Sequence, residues 1–303
     1  MNPGHIRANL IATLTGAIGI ASGSMAFAEQ AASPIPVELV RQTVQNEVKS
    51  SNNGANFIFL DRKQTTRGSQ TKLVVETSDV TLGMLIALND KPVTPEQRQG
   101  EEARLEELLK NPEELQKKRK SEKEDAEHVT RIMKALPDAF LYEPDGTEGG
   151  SQGVGKAGDA LVRLKFRPNP RYSPPTHVEQ VLAGMQGVIL IDANKYRIAK
   201  IDGTLIREVG FGWGILGHLD RGGHFLVEQG EIGKDDWEIT RMDLAFTGRE
   251  LLFKGINIKS EEVFSDFRPA PSKLTLAQGL ELLKKQEAEL ADNRGQPATV
   301  NPK

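Results

Sequence analysis

The stretch Gly184–Lys200, GMQGVILIDANKYRIAK, decides the fold. Four apolar residues, Val188 to Ile191, run into Asp192, Ala193 and Asn194. Asp and Asn favour turns because their short side chains hydrogen-bond the backbone just ahead of them. Tyr196, Ile198 and Ile201 then make a second β-like run that ends at Asp202-Gly203. Two such runs around a turn predict an antiparallel hairpin.

Working outward, the same signature repeats. Ala160–Arg167 (ALVRLKFR) alternates, with Val162, Leu164 and Phe166 on one face and Arg163, Lys165 and Arg167 on the other. That is the pattern of a strand buried on one side only. Pro168–Pro175 cannot be a central strand, because proline has no N–H to give to a ladder; it predicts a rim crossing. Thr176–Ala183 predicts a short helical turn. Beyond the hairpin, Thr204–Val209, Gly222–Gln229, Trp237–Thr247 and Leu251–Phe267 read as strands set apart by Gly, Asp or Asn turns. On the N-terminal side, Asn56–Thr66 and Thr71–Thr77 flank Arg67-Gly68, a hairpin signal, and Val80–Leu88 is a third strand. Phe140–Tyr142 is a short strand before a Gly-rich loop over Gly146–Gly158.

Helices interrupt this series at three places. Pro36–Ser50 carries Val37, Leu39, Val40, Val44 and Val48 at helical spacing and is stopped by Asn52-Asn53-Gly54. Thr94–Leu136 is dominated by Glu, Lys, Arg and Gln, with helix starts at Thr94-Pro95, Asn111-Pro112 and Ser121. Its middle, Asn111–Asp125, is almost wholly polar, which predicts a solvated helix or helical hairpin projecting from the sheet. Thr275–Leu290 is a last amphipathic helix or a frayed tail. Strands follow one another with no βαβ alternation, so the expected class is α+β: a curved antiparallel sheet, an unclosed barrel, with helices on its concave face and a protruding charged helical excursion.

The N-terminus carries its own signal. After His5 and Arg7, Leu10–Phe27 is apolar or small and uncharged, and Ala26-Phe27-Ala28 is an A-x-A cleavage site before Glu29. This predicts a secretory signal peptide over 1–28, cut after Ala28, and an exported, periplasmic protein. The alternative is a retained anchor, against which the glycines and the small-residue end argue. The expected organisation is residues 1–28 as signal peptide, 29–285 as a single curved-sheet domain with the helical insertion 94–136, and 286–303 as a disordered tail.

Composition excludes several functions. The 303 residues include no Cys, which removes disulfides, thiolate metal sites and Cys nucleophiles. A net charge of −3 gives no general reason for nucleic-acid binding, and acids interleave around the basic run Lys117–Lys120. Gly212–Gly217 matches G-x-G-x-x-G, but no helix follows it to meet a pyrophosphate. Gly150–Lys156 nearly matches a phosphate-binding loop, but Ala157 stands where a hydroxyl is required for Mg²⁺. His218, Asp220 and His224 are metal ligands by type, yet they read as exposed residues of a Gly-rich turn rather than one face of an element. Asp235, Asp236 and Glu231 are acids in a hairpin turn, and no G-x-S-x-G elbow is present. No catalytic residue, cofactor or metal is expected.

One group of residues remains. Phe57, Phe59, Leu73, Val75, Leu164, Phe166, Leu190, Leu226, Leu244, Phe246 and Phe253, with Ile256 and Ile258, are the large apolar residues of the expected strands. They form either a filled core or the lining of a cavity for an acyl chain or other apolar ligand.

The motifs FRPNPRYSPP, GVILIDANKYRIAKIDG, GFGWGILGHLDRGGHF and FTGRELLFKGINIKSEEVFSDF, with LIALNDKPVTPEQ earlier, carry a resemblance over roughly residues 35–285. The chain resembles uncharacterised exported proteins of acidobacterial type. These are similar, more remotely, to the outer-membrane lipoprotein-sorting fold, a carrier type that moves lipoproteins or lipids through the periplasm. That resemblance implies an unclosed barrel, an apolar cavity under helices, and a lipid or lipoprotein acyl chain as partner. The charged excursion departs from a typical carrier, and no binding signature carries over residue by residue. The expected function is therefore a non-catalytic periplasmic carrier; the alternative is an envelope interaction protein using the charged arm as its contact surface, with a possible envelope protein as partner.

Overall fold

The structure, a computed structural model, describes residues 34–51, 56–211, 217–233, 235–250 and 254–295. In chain order these form α1 (Pro34–Ser51), β1 (Phe57–Thr65), β2 (Gly68–Glu76), β3 (Thr81–Leu88), β4 (Lys91–Pro92), α2 (Pro95–Lys110), α3 (Pro112–Ala139), β5 (Phe140–Gly149), β6 (Ala160–Pro168) and α4 (His177–Gln180). After a 3-10 turn at Val181–Gly184 come β7 (Met185–Asp192), β8 (Arg197–Leu205), β9 (Val209–Phe211), β10 (Gly217–Leu219), β11 (His224–Glu231), β12 (Trp237–Glu250), β13 (Lys254–Pro269) and α5 (Leu276–Gly295).

The fold is α+β: a 13-stranded antiparallel sheet that does not close, with five helices among the described residues. The strand order is β4-β3-β2-β1-β13-β12-β11-β8-β7-β6-β5, and β10 pairs with both β12 and β9. The deciding stretch is the hairpin β7–β8. Asp192 Oδ1 accepts hydrogen bonds from the N–H groups of Asn194 and Lys195 at 2.9 and 3.0 Å, the local bonding that makes Asp a turn former.

Packing divides the chain into two compact units. The first takes the described parts of Met1–Gly54 and Glu122–Glu262; the second takes Ala55–Ser121 and Val263 onward. In the second, Ile58, Leu73, Val75, Leu82, Met84 and Ile86 of β1–β3 pack with Leu105, Leu115, Leu280 and Leu283 of α2, α3 and α5. Two helix starts here are fixed by side chains. Thr94 caps α2 in a reciprocal pair with Gln97, and Thr275 and Gln278 do the same for α5.

Three expectations change. The charged excursion does not project over its first half: α2 lies on β3 and α5, its Leu105 is 1% exposed, and Glu106 pairs with Lys284 at 2.8 Å; within Asn111–Asp125, the stretch expected to project, Leu115 is 7% exposed in the same core and Arg119 pairs with Asp79. The polarity of α2 reflects its other faces; its packed side is the short stripe Leu105, Leu108 and Leu109, at helical spacing but outnumbered by the charges around it. Residues 286–295, expected in the tail, are helical, because Leu283, buried Glu287 and Leu290 continue the helical stripe of α5. The strand expected at Phe140–Tyr142 extends to Gly149, passing a bulge between Pro144 and Thr147 where Gly146 takes φ +91°.

The first unit holds the other large core. Val40 and Val44 of α1 and Leu136 and Ala139 of α3 cover Tyr142, Leu164, Phe166, Ile189, Ile191 and Ile198 on one face of β5–β8. The Tyr142 hydroxyl donates to the Leu136 carbonyl at 2.8 Å, which satisfies a buried polar group. On the opposite face of β6–β8, Leu161, Leu190, Ala199 and Trp237 form a smaller cluster.

Candidate functional site

Strand register lays the residues of the first unit out in rows across five strands. One row is Leu164, Ile189, Ile201, Val227 and Met242; the next is Phe166, Gly187, Gly203, Phe225 and Leu244. Paired residues share a face, so both rows lie on the side that carries the main core. At β6 and β7 the face is closed: Leu164 is 2%, Phe166 4% and Ile189 2% exposed, under α1 and α3. Along β8, β11 and β12 it is less completely covered: Ile201, Phe225, Val227, Leu244 and Phe246 are half-buried, the first two and Phe246 packed against the core, whereas Met242 is 4% exposed.

The middle of the second row has no side chains. Gly187 and Gly203 face each other across β7 and β8. A Cβ on Gly203 meets the Met185 sulfur at 2.8 Å and the tip of the Phe166 ring at 3.4 Å, so these two side chains lie across the trough. A Cβ on Gly223 meets the Phe246 ring at 2.4 Å, so that ring lies over a glycine too. The result is a strip of sheet bounded by closed core on one side and by half-buried Phe225, Leu244 and Phe246 on the other.

At the β7–β8 turn the unit is held by charge. Glu47 of α1 accepts from Arg197 Nε at 3.0 Å and from the Ile198 N–H at 2.7 Å. Burial pushes its carboxyl above the usual range, and Arg197 and the Ile198 N–H oppose that. The Arg197 guanidinium lies 5.6 Å from the centre of the Trp237 ring. On the outer face of β5–β6, Asp145 is held below the usual carboxylate range by hydrogen bonds from Lys165 and Arg163.

The expected lining residues do not share one interior. Leu164 and Phe166 lie in the main core, with Leu244 and Phe246 on the open part of the same face. Leu190 points to the opposite face, into the cluster with Trp237, and Leu226 is opposite Asp202 and Asp243 on that side. In the second unit, Leu73 and Val75 pack under α5, whereas Phe57 and Phe59 lie on the other face against Phe264 and Phe267. Ile256 is half-buried and Ile258 is 45% exposed; Phe253, Ala26 and Ala28 lie outside the described residues.

The chain matches no protein-family model and no curated protein. Among the described residues, no helix is long and apolar enough to cross a membrane.

The polar candidates also separate. His224 Nε2 lies 3.0 Å from Asp202 Oδ1. His218 is a residue of β10 rather than of a turn, and its Nε2 lies 3.3 Å from Asp220 Oδ1. Glu208, which sequence reading passed over, joins them: one donor atom from each of Glu208, His218 and Asp220 lies within 4.8 Å of the others. The signal was a register, which becomes visible only when β9 and β10 are paired. Most of the G-x-G-x-x-G segment, 212–216, lies outside the described residues. Gly150–Lys156 is a tight turn closed by Ser151 and Val154, with Lys156 bonded to Glu231.

Proposed function

We propose that the protein is a non-catalytic exported binding protein that takes up an apolar ligand, a lipid or the acyl chain of a lipoprotein, on the open strip of its first unit. The observation that carries this is the half-buried apolar strip Ile201, Phe225, Val227, Leu244 and Phe246, drawn from neighbouring rows and continuous with a core that is closed at β6 and β7. The closed half leaves no room. A void wide enough for an acyl chain leaves its walls accessible, and Leu164, Phe166 and Ile189 are 4% exposed or less. The ligand therefore meets the strip beside Phe225 and Phe246 rather than an interior cavity among the expected lining residues. Each methylene it buries contributes about 0.8 kcal/mol, so a long chain needs only part of its length covered.

The test is native mass spectrometry of the untagged protein exported from a bacterial host. Added mass that extracts into organic solvent, and that is reduced in Leu244→Glu and Phe225→Glu, supports the carrier. A clean apo mass that is unchanged after incubation with phospholipid and with acylated peptide overturns it. The exposed, charged face of α3 around Lys117 and Lys120 then becomes the surface to search for a protein partner.

A further inference from the structure

We propose that Glu208, His218 and Asp220 form a binding site for a divalent first-row transition metal, zinc being the reference ion. This goes beyond the apolar binding proposed above and does not depend on it.

The strand register explains why these three residues meet. His218 and Asp220 are two apart along β10 and its continuation, and residues two apart on a strand project to the same side. β9 runs antiparallel beside β10, with Val209 opposite Leu219 and Gly210 opposite His218. One step outward, Glu208 stands opposite Asp220, on the same face. Two donors from one strand and a third from its neighbour is an arrangement in which backbone pairing, rather than side-chain packing, sets the spacing. The backbone is held from both sides: β10 lies between β9 and β12, and the Asp220 N–H donates to the Thr247 carbonyl at 2.9 Å.

Distances and chemistry agree with a metal. Zinc bonds to His nitrogen and carboxylate oxygen are about 2.0–2.2 Å long, so donors around a tetrahedral ion lie roughly 3.4 Å apart. His218 Nε2 and Asp220 Oδ1 already lie at 3.3 Å. Glu208 is exposed and free to close the remaining gap, since all three donor atoms fall within 4.8 Å. Glu208 makes no ion pair among the described residues, and neither does exposed Arg249, which faces His218 across β12. One imidazole and two carboxylates select zinc, manganese or cobalt over soft cuprous copper. Three protein donors leave a fourth position for water or a ligand group. His224 does not join the group, its Nε2 lying 3.0 Å from the single carboxylate of Asp202, and serves as the internal control.

The experiment is titration of the untagged, chelator-treated protein with zinc and with cobalt, read by calorimetry and by the visible bands of low-symmetry cobalt. The expected result is one ion per chain, with the affinity lowered in His218→Ala by at least the roughly 10–100-fold that loss of an outer-shell partner costs, lowered in Glu208→Gln, and unchanged in His224→Ala. Circular dichroism of each variant separates loss of the site from loss of the fold. Binding that is absent, exceeds one ion, or falls equally in His224→Ala overturns the assignment. So does binding unaffected in a folded Glu208→Gln variant, because the register requires that carboxylate.

Discussion

Lys195 is the residue through which two turns of the first unit hold each other. Its ammonium donates to Glu231 at 2.7 Å and to Asp235 at 2.8 Å, and Lys156 reaches the other Glu231 oxygen at 3.3 Å. The hydrogen bond from Lys195, then that from Lys156, holds the Glu231 carboxyl below its ordinary value of 4.5. Hydrogen bonds to Asp235 and Glu231 likewise hold the Lys195 ammonium above 10.5. A carboxyl depressed by folding stabilises the fold fully above its unfolded value, and the contribution fades as pH falls through the folded value. The raised lysine contributes fully below 10.5 and loses its contribution as pH rises through its folded value. Glu231→Gln is therefore expected to lower Tm at about pH 7, with the deficit shrinking below pH 4.5 as Glu231 protonates. Scanning calorimetry across that range tests it; a deficit as large at pH 3 as at pH 7 refutes the electrostatic account. At this scale the sequence was least informative: Glu231 and Asp235 read as acids of a turn, and nothing in their spacing announced Lys195 or Lys156 as partners.

The β7–β8 hairpin shows what an element adds to its residues. Its two facing glycines, Gly187 and Gly203, bring the backbones together so closely that a Cβ on Gly187 would sit 1.9 Å from the Asp202 carbonyl oxygen. No side-chain rotation relieves a clash with backbone, so Gly187→Ala must part the two strands or bend them. A loss of roughly 1–3 kcal/mol is expected, the range for overpacking that shifts backbone, measured as a shift of the urea midpoint. A shift within about 0.5 kcal/mol of zero would show the strands more yielding than this. The same hairpin explains which parts of the fold were legible. Its period-2 runs, those of β1, β2, β3 and β6, and the helical stripe of α1 follow directly from local pattern. Leu190 faces away from the main core because β7 alternates strictly, Ile189 and Ile191 on one side and Val188 and Leu190 on the other, and with both faces apolar the run Val188–Ile191 does not say which side is which. Phe57 and Leu73 looked equivalent because pattern gives each strand two faces but does not say which face of one strand matches which face of the next. The candidate strip was half legible: Leu244 and Phe246 were named, while Ile201, Phe225 and the glycine trough needed the register.

For the whole molecule, the order of the chain matters more than the order of the sheet. The second unit opens at Ala55, breaks off at Ser121, and is completed only from Val263 onward. Leu73 and Val75 find Leu280 and Leu283, and Phe57 and Phe59 find Phe264 and Phe267, some 200 residues along the chain. The first unit ends at Glu262. A chain ended at Glu262 is expected to keep slow amide exchange in β6–β8 and to lose it in β1–β3, because the Val263–Pro269 part of β13, with Phe264 and Phe267, is gone from beside β1 and the apolar face has lost α5. Hydrogen exchange read by mass spectrometry decides it, and protection of β1–β3 in the shortened chain would contradict it.

The main path of this open sheet ends in two strands and its side branch in a third, the three-residue β9, and the unshared peptide groups of such edges invite a second molecule to add itself. Both strands at the ends of the main path contain a proline. One is β4, only two residues long, Lys91-Pro92; the other is β5, where Pro144 lies at a bulge among Glu143, Asp145 and Glu148. Proline removes a donor from the row, the bulge throws it out of step, and the charges resist being stacked on copies of themselves. The molecule thus keeps an open architecture without the usual hazard of one, which is growth into fibres.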